Sequence, residues 1–230
     1  FISTMDTNLH RSFEGASVLS THKLNGEVLT SVGYYDNNNG KPITNGDDIP
    51  VPFRRDEPGS NIDIIGIEKD SKSVDNIFTE VIRNFWMAIY DGILEVMVEE
   101  DLLNKDNLFT LMKRYFPRMA DNAKRNSSTY TNPRPYYDAV ANAGSDESHQ
   151  LFIDKLDSVG KVKLYTSIIP EEEEMERTKV VFMRSLKMHV YTQKYSLSNS
   201  IAAVFICEDR NGNRLLGHLE PPAHNEWKAT

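Results

Sequence analysis

A mixed group of metal-type side chains lies near the C-terminus, where His218, Glu220, His224 and Glu226 fall close together. Imidazole and carboxylate together suit zinc or manganese, and such a site would make the chain a metal-dependent hydrolase. Pro221-Pro222 interrupts any helix that would align the four, and no cysteine joins them. The competing reading is a Pro-rich tail that docks through Leu219 and Trp227 and holds no metal. Nucleophilic chemistry has less support. Cys207 is the one cysteine, and it sits in the apolar run 201–207, where a packed thiol is the default. His22, His149 and His189 have no triad partner at an informative spacing. The chain contains no G-x-x-x-x-G-K-[ST] loop, no G-x-G-x-x-G fingerprint and no G-x-S-x-G elbow.

Charge narrows the partners. The formal net charge is -8, which opposes general nucleic-acid binding, because that depends on Lys and Arg displacing phosphate counterions. One local exception is Lys113, Arg114, Arg118, Lys124, Arg125 and Arg134, with Tyr115, Phe116 and Tyr130 among them. That patch reads either as a nucleic-acid contact or as a solvated helix face followed by a polar loop. The run Glu171, Glu172, Glu173 and Glu174 reads as a cation or basic-partner site, or as a solvated loop or first helical turn.

The elements that must position these groups follow from periodicity. With 230 residues, 39% hydrophobic and 26% charged, the chain can bury a sizeable core. One cysteine permits no internal disulfide, which fits a reducing, cytoplasmic setting. No apolar run reaches membrane-span length, and residues 1–10 lack the pattern of a signal peptide. The missing initial Met suggests a piece of a longer chain.

Residues 1–70 read as β-rich, with strands over 16–21 and 28–35 and a continuous apolar strand, buried on both faces, over 61–67. Residues 73–90 place Val74, Ile77, Phe78, Val81, Ile82, Phe85, Trp86 and Ile89 on one helical face, and Asp91-Gly92 ends that helix. A strand over 93–99 and a second helix over 105–116, capped by Asn104, come next. Residues 118–147 read as a long polar insertion. A short helix is expected over 148–158, then strands over 162–169, 179–184, 188–195 and 201–208, with a hairpin turn at 209–213. The class is α+β: a β-rich N-terminal segment, then a β-α-β-α-β domain with a mixed sheet and a boundary near 67–73.

Four segments resemble a bacterial branch of the GHKL ATPase superfamily, which includes DNA gyrase B, MutL, the ninety-kilodalton heat-shock chaperones and histidine kinases. The first is Ala16-Ser17-Val18-Leu19-Ser20-Thr21-His22 with Val32-Gly33-Tyr34-Tyr35. The second, Glu57-Pro58-Gly59-Ser60-Asn61-Ile62, is similar to the family's EPGTDI strand. The third, from Val81 through Asn84-Phe85-Trp86 to Asp91-Gly92-Ile93-Leu94-Glu95-Val96, resembles the LENFFxAIxxGKLEV helix–strand that opens the transducer domain. The fourth runs from Val204-Phe205-Ile206-Cys207 to Glu220-Pro221-Pro222-Ala223-His224-Asn225-Glu226-Trp227.

The resemblance implies that residues 1–70 are the last strands of an ATP-binding domain and that 71–230 are a transducer-like domain. It implies ATP and Mg²⁺ as cofactors of the intact protein, held by an upstream segment of the same chain. The family's Glu-and-Asn helix, D-x-G-x-G and G-x-F-G-x-G motifs do not occur in these residues, so hydrolysis by this stretch alone is not expected. A homodimer and a protein or DNA client are implied partners, with no membrane. The alternative function is a protein–protein interaction module without a nucleotide. Candidate γ-phosphate contacts are Arg184 and then Lys187, because Met183-Arg184-Ser185-Leu186-Lys187-Met188 resembles MRxTGM; Gly59 and Ser60 are the candidate residues of the nucleotide sheet. Two departures stand out. Ser60 replaces the usual Thr, and the family's Gly near 186–187 is missing, which leaves the shape of that loop open.

Overall fold

The structure, a computed structural model, describes residues 2–7, 10–18, 22–29, 32–36, 41–63, 73–117, 132–170, 178–197, 199–221 and 226–228. The chain divides into two compact units, Phe1–Asp70 and Ser71–Thr230.

The first unit holds β1 (Ile2–Thr7), β2 (His10–Val18), β3 (His22–Leu24), β4 (Glu27–Leu29), β5 (Val32–Tyr35) and β6 (Gly59–Asp63). Four of these form an antiparallel sheet in the order β5-β2-β1-β6, and β3 pairs with β4. A small core gathers Phe13 and Ile49 with Ile43 and Phe53 on one face. Of the strand expected over 61–67, the described residues 61–63 belong to β6, whose exposure alternates instead of being buried on both faces, with Ile62 largely exposed. A strand with one solvated face alternates in this way. Residues 64–67 lie outside the described set.

The second unit opens with α1 (Ser73–Tyr90). Its buried face carries Phe78, Ile82, Trp86, Met87, Ala88 and Ile89, the stripe that a period of 3.6 residues places together. Gly92 ends the helix with φ +69°. The Ile93 amide donates to Ala88 O at 2.9 Å and the Gly92 amide to Ile89 O at 2.9 Å, a pairing that closes a helix around a left-handed glycine. β7 (Val96–Val98) and β8 (Asp101–Leu103) follow as a hairpin with a sheet of its own, so the strand expected over 93–99 shrinks to three residues. α2 (Leu108–Tyr115) starts later than expected. The Asn104 side chain instead accepts from the amides of Asp106 and Asn107, closing the turn ahead of the helix.

Two expectations for the middle of the chain are corrected. The polar insertion contains α3 (Arg134–Ala141), and residues 118–131 lie outside the described set. Pro133 and Pro135 do not prevent that helix. At a helix start the missing amide would have had no partner anyway. The short helix expected over 148–158 is instead β9 (His149–Leu156), an edge strand paired with β10 (Gly160–Ile168).

β11 (Thr178–Met183), β12 (His189–Tyr195) and β13 (Ile201–Cys207) complete a five-stranded mixed sheet in the order β12-β11-β13-β10-β9. All its pairs are antiparallel except β11 with β13. The chain therefore crosses the end of β11 between β12 and β13. Thr178, at that end, fixes the crossing: its hydroxyl donates to Asn199 O at 2.8 Å and accepts from the Ile201 amide at 3.1 Å. The expected hairpin turn at 209–213 is instead the start of α4 (Arg210–Leu219), with Asp209 Oδ1 accepting from the amides of Asn211 and Gly212.

One sheet face supplies Val181, Met183, Ala202, Val204 and Ile206 to the main core, beneath Trp86 and Ile89 of α1 and Tyr136 of α3. The other carries a straight cross-strand row, Phe152–Leu164–Phe205–Phe182–Tyr191, set by the register of all five strands. α1 and α3 cover the first face, and α4 packs through Leu216 against Val162 and Cys207 on the second. Helices set against a mostly antiparallel mixed sheet make the class α+β.

Candidate functional site

Arg184 follows directly on β11 and opens a tight turn. The Lys187 amide donates to Arg184 O at 2.6 Å, and the Ser185 amide to Asn213 Oδ1 of α4 at 2.7 Å. The turn needs a left-handed residue, and Lys187 supplies it at φ +56°. A side chain pays for that conformation, whereas glycine adopts it freely. Lys187 thus stands in a conformation that glycine would adopt freely.

The Arg184 side chain turns toward the C-terminal tail. Its Nε lies 2.6 Å from Glu220 Oε1, with the Glu220 side chain fully buried and the Arg184 side chain 17% exposed. The Nε–H does not point along that line, so the contact is an ion pair rather than a linear hydrogen bond. Trp227 donates from Nε1 to the same oxygen at 3.1 Å. The Trp227 ring stands edge-on over the cross-strand row, with centroids 5.7 Å from Phe182, 5.4 Å from Tyr191 and 6.3 Å from Phe205. Edge-to-face geometry suits the ring quadrupoles. The Lys228 amide donates to Leu219 O at 3.0 Å and draws the tail back to the end of α4.

Lys187 pairs with the carboxylate of Asp91, just past the end of α1. Two basic side chains three positions apart are therefore each tethered by a carboxylate, one from the tail and one from α1. Sequence reasoning named Arg184 and Lys187 and missed both tethers, although Asp91 and Glu220 lie in the two segments most similar to the family pattern.

Gly59 and Ser60 sit in the other unit, on β6. Gly59 has φ +151°, and a Cβ there would lie 2.6 Å from Arg55 Nη2. The same guanidinium bonds Asn61 Oδ1 and, through Nε, Glu57 O at 3.2 Å. Ser60 faces Met5 of β1 and is exposed.

Both carboxylates of the metal alternative have other partners. Glu220 is taken by Arg184 and Trp227, and Glu226 pairs with Lys228 at 2.7 Å. His218 Nδ1 donates to Arg214 O at 2.7 Å, and His224 lies outside the described residues. Among the described residues no three His, Cys, Asp or Glu side chains are grouped to hold an ion. Where the basic patch is described, Lys113 and Arg114 are exposed and each has an aromatic neighbour. Lys113 lies over Phe109, Arg114 over Tyr115, and Arg134 reaches Phe116 O. Arg118, Lys124, Arg125 and Tyr130 lie outside the described set, as does the 171–174 acidic run.

Cys207 is buried, with Sγ 3.6 Å from Val159 O, and burial pushes its pKa up. That is the environment of a packing thiol, not a nucleophile. His189 was likewise unremarkable in sequence. Burial lowers its pKa from 6.5 to about 4, and its Nε2 meets Thr192 Oγ1 at 2.9 Å. No described helix is long and apolar enough to cross a membrane. No protein-family model, no curated protein and no solved structure matches this chain.

Proposed function

We propose that this chain is the coupling portion of a GHKL-type ATPase, cytoplasmic, and that residues 184–187 sense the nucleotide. The observation that carries this reading is the pair of tethered cations in one turn: Arg184 on buried Glu220, and Lys187 on Asp91. Two of the four segments that resemble the family pattern, through Asp91 and Glu220, meet the 183–188 run there. ATP with Mg²⁺, bound by an upstream segment, would supply the phosphoryl charge and the metal that neutralises it.

The chain's own residues do the rest. Glu220 pairs with the Arg184 guanidinium, and the partly exposed side chain can donate to a phosphate oxygen beside it. A preorganised cation stabilises charge that develops during phosphoryl transfer. Lys187 is held by a more exposed carboxylate, so a γ-phosphate competes for it. Its departure would free Asp91 at the end of α1. Nucleotide state then becomes a choice between two arrangements of α1, whose differential contacts set the size of the coupling.

The test is equilibrium binding of ATP and Mg²⁺ to the full-length gene product, together with steady-state turnover. Nucleotide binding and Mg²⁺-dependent hydrolysis are expected. A full-length product that binds no nucleotide ends this reading.

A further inference from the structure

The outer side of β9 has no strand against it among the described residues. Ser148 O accepts from Ile168 N at 3.0 Å on the β10 side, whereas His149 O accepts from Gly144 N at 2.8 Å on the outer side. Backbone groups alternate along a strand, so Leu151, Ile153 and Lys155 turn their N–H and C=O outward, the Lys155 N–H meeting Asp154 Oδ1 at 2.7 Å. An edge of this kind templates another strand unless it is blunted. β9 contains no proline, and its register with β10 is unbroken. Leu151, Phe152, Ile153 and Leu156 are 39%, 51%, 56% and 43% exposed, so both faces of the edge present apolar surface.

We infer that β9 pairs antiparallel with β9 of a second copy of this chain, about a two-fold axis at Phe152. Such an axis stands normal to the sheet and preserves its faces, so it must pass through a residue. At Phe152 it sets Phe152 against its twin, Leu151 against Ile153, and Gln150 against Asp154, whose carboxylate accepts from the amide. Outward-facing residues then meet outward-facing residues. At Asp154 the axis would oppose two carboxylates, which is destabilising. At Ile153 it would oppose Phe152 to Asp154 and Leu151 to Lys155. At Leu151 it would oppose Gln150 to Phe152. Self-complementarity at one register is the reason the occupant is a second copy rather than a foreign strand. The pairing also continues the row Phe152–Leu164–Phe205–Phe182–Tyr191 across ten strands. It does not depend on the proposed nucleotide role.

Sedimentation equilibrium of the 230-residue chain from about 1 µM to about 100 µM tests this. A reversible dimer is expected. Phe152→Lys opposes two ammonium groups and raises the dissociation constant about tenfold or more. Leu151→Pro removes an outward amide that has no partner among the described residues, and weakens the dimer too. The register is read by oxidation. Non-hydrogen-bonded pairs bring Cα atoms to about 4.5 Å, within disulfide reach, so Phe152→Cys gives a covalent dimer. Ile153→Cys, offset from its twin, gives less, and buried Cys207 gives none. A monomer throughout the range overturns the inference, whether or not a foreign strand binds the edge. So does a dimer indifferent to Phe152→Lys, or one that Ile153→Cys links better than Phe152→Cys.

Discussion

Arg184 Nε lies 2.6 Å from Glu220 Oε1, and Trp227 Nε1 donates to that same oxygen at 3.1 Å. One buried carboxylate oxygen thus joins the end of β11, the end of α4 and the C-terminal tail. Removing a single partner of a buried pair leaves an uncompensated charge, which costs more than the pair contributes. Glu220→Ala is expected to lower stability by about 2 kcal/mol, below the fully buried figure because Arg184 keeps some exposure. The double change Arg184→Met with Glu220→Leu recovers most of that loss. Urea unfolding of the three proteins checks it. An unchanged midpoint for Glu220→Ala would mean that the carboxylate anchors nothing.

Lys187 separates backbone strain from charge pairing. Both Lys187→Ala and Lys187→Gly lose the Asp91 contact, but only glycine relieves φ +56°. The glycine variant should be the more stable of the two by about 1 kcal/mol. Thermal unfolding of both, side by side, decides this. An alanine variant equal to or better than glycine contradicts the left-handed turn.

Gly212 tests the start of α4. A Cβ there would lie 1.8 Å from Val159 O and 2.7 Å from Cys207 Sγ. The first of these atoms is backbone and cannot swing aside. Gly212→Ala is expected to cost about 3 kcal/mol or more, as overpacking does. In the hairpin turn that the sequence suggested, the added methyl would face solvent and cost far less, so circular dichroism melts distinguish the two.

His189 gives the pH dependence. Its folded pKa, about 4, lies below its ordinary 6.5. Between these values the unfolded chain binds more protons than the folded one, so stability rises with pH there. The contribution is complete above 6.5 and is lost as pH falls through about 4. The full swing is at most about 3 kcal/mol. His189→Gln should flatten the slope of denaturation midpoint against pH in that window. A slope unchanged by the substitution assigns the titration elsewhere.

The parts of the fold legible in sequence were those with strong period. α1 declared itself through eight apolar positions at helical spacing, and its glycine stop through Asp91-Gly92. β9 did not, because an edge strand exposed on both faces has no alternation to read, and Leu151, Phe152, Ile153 and Leu156 mimic a helical stripe. α4 hid behind Asn211-Gly212-Asn213. There the Asp209 cap and the close approach of Gly212 to Val159 override local propensity. The candidate cations were named from a pattern of six residues. Their tethers, Glu220 and Asp91, were not, because the contacts join residues distant in the chain and follow from tertiary packing alone.

The most direct measurement of the central claim is single-turnover ATP hydrolysis by the full-length gene product carrying Arg184→Lys. Lysine keeps the charge that buried Glu220 needs, and loses the planar fork that would meet a phosphate. A rate about 100-fold lower or more is expected, with an unfolding midpoint close to the unsubstituted protein's. Turnover at the original rate, by a folded variant, would contradict it.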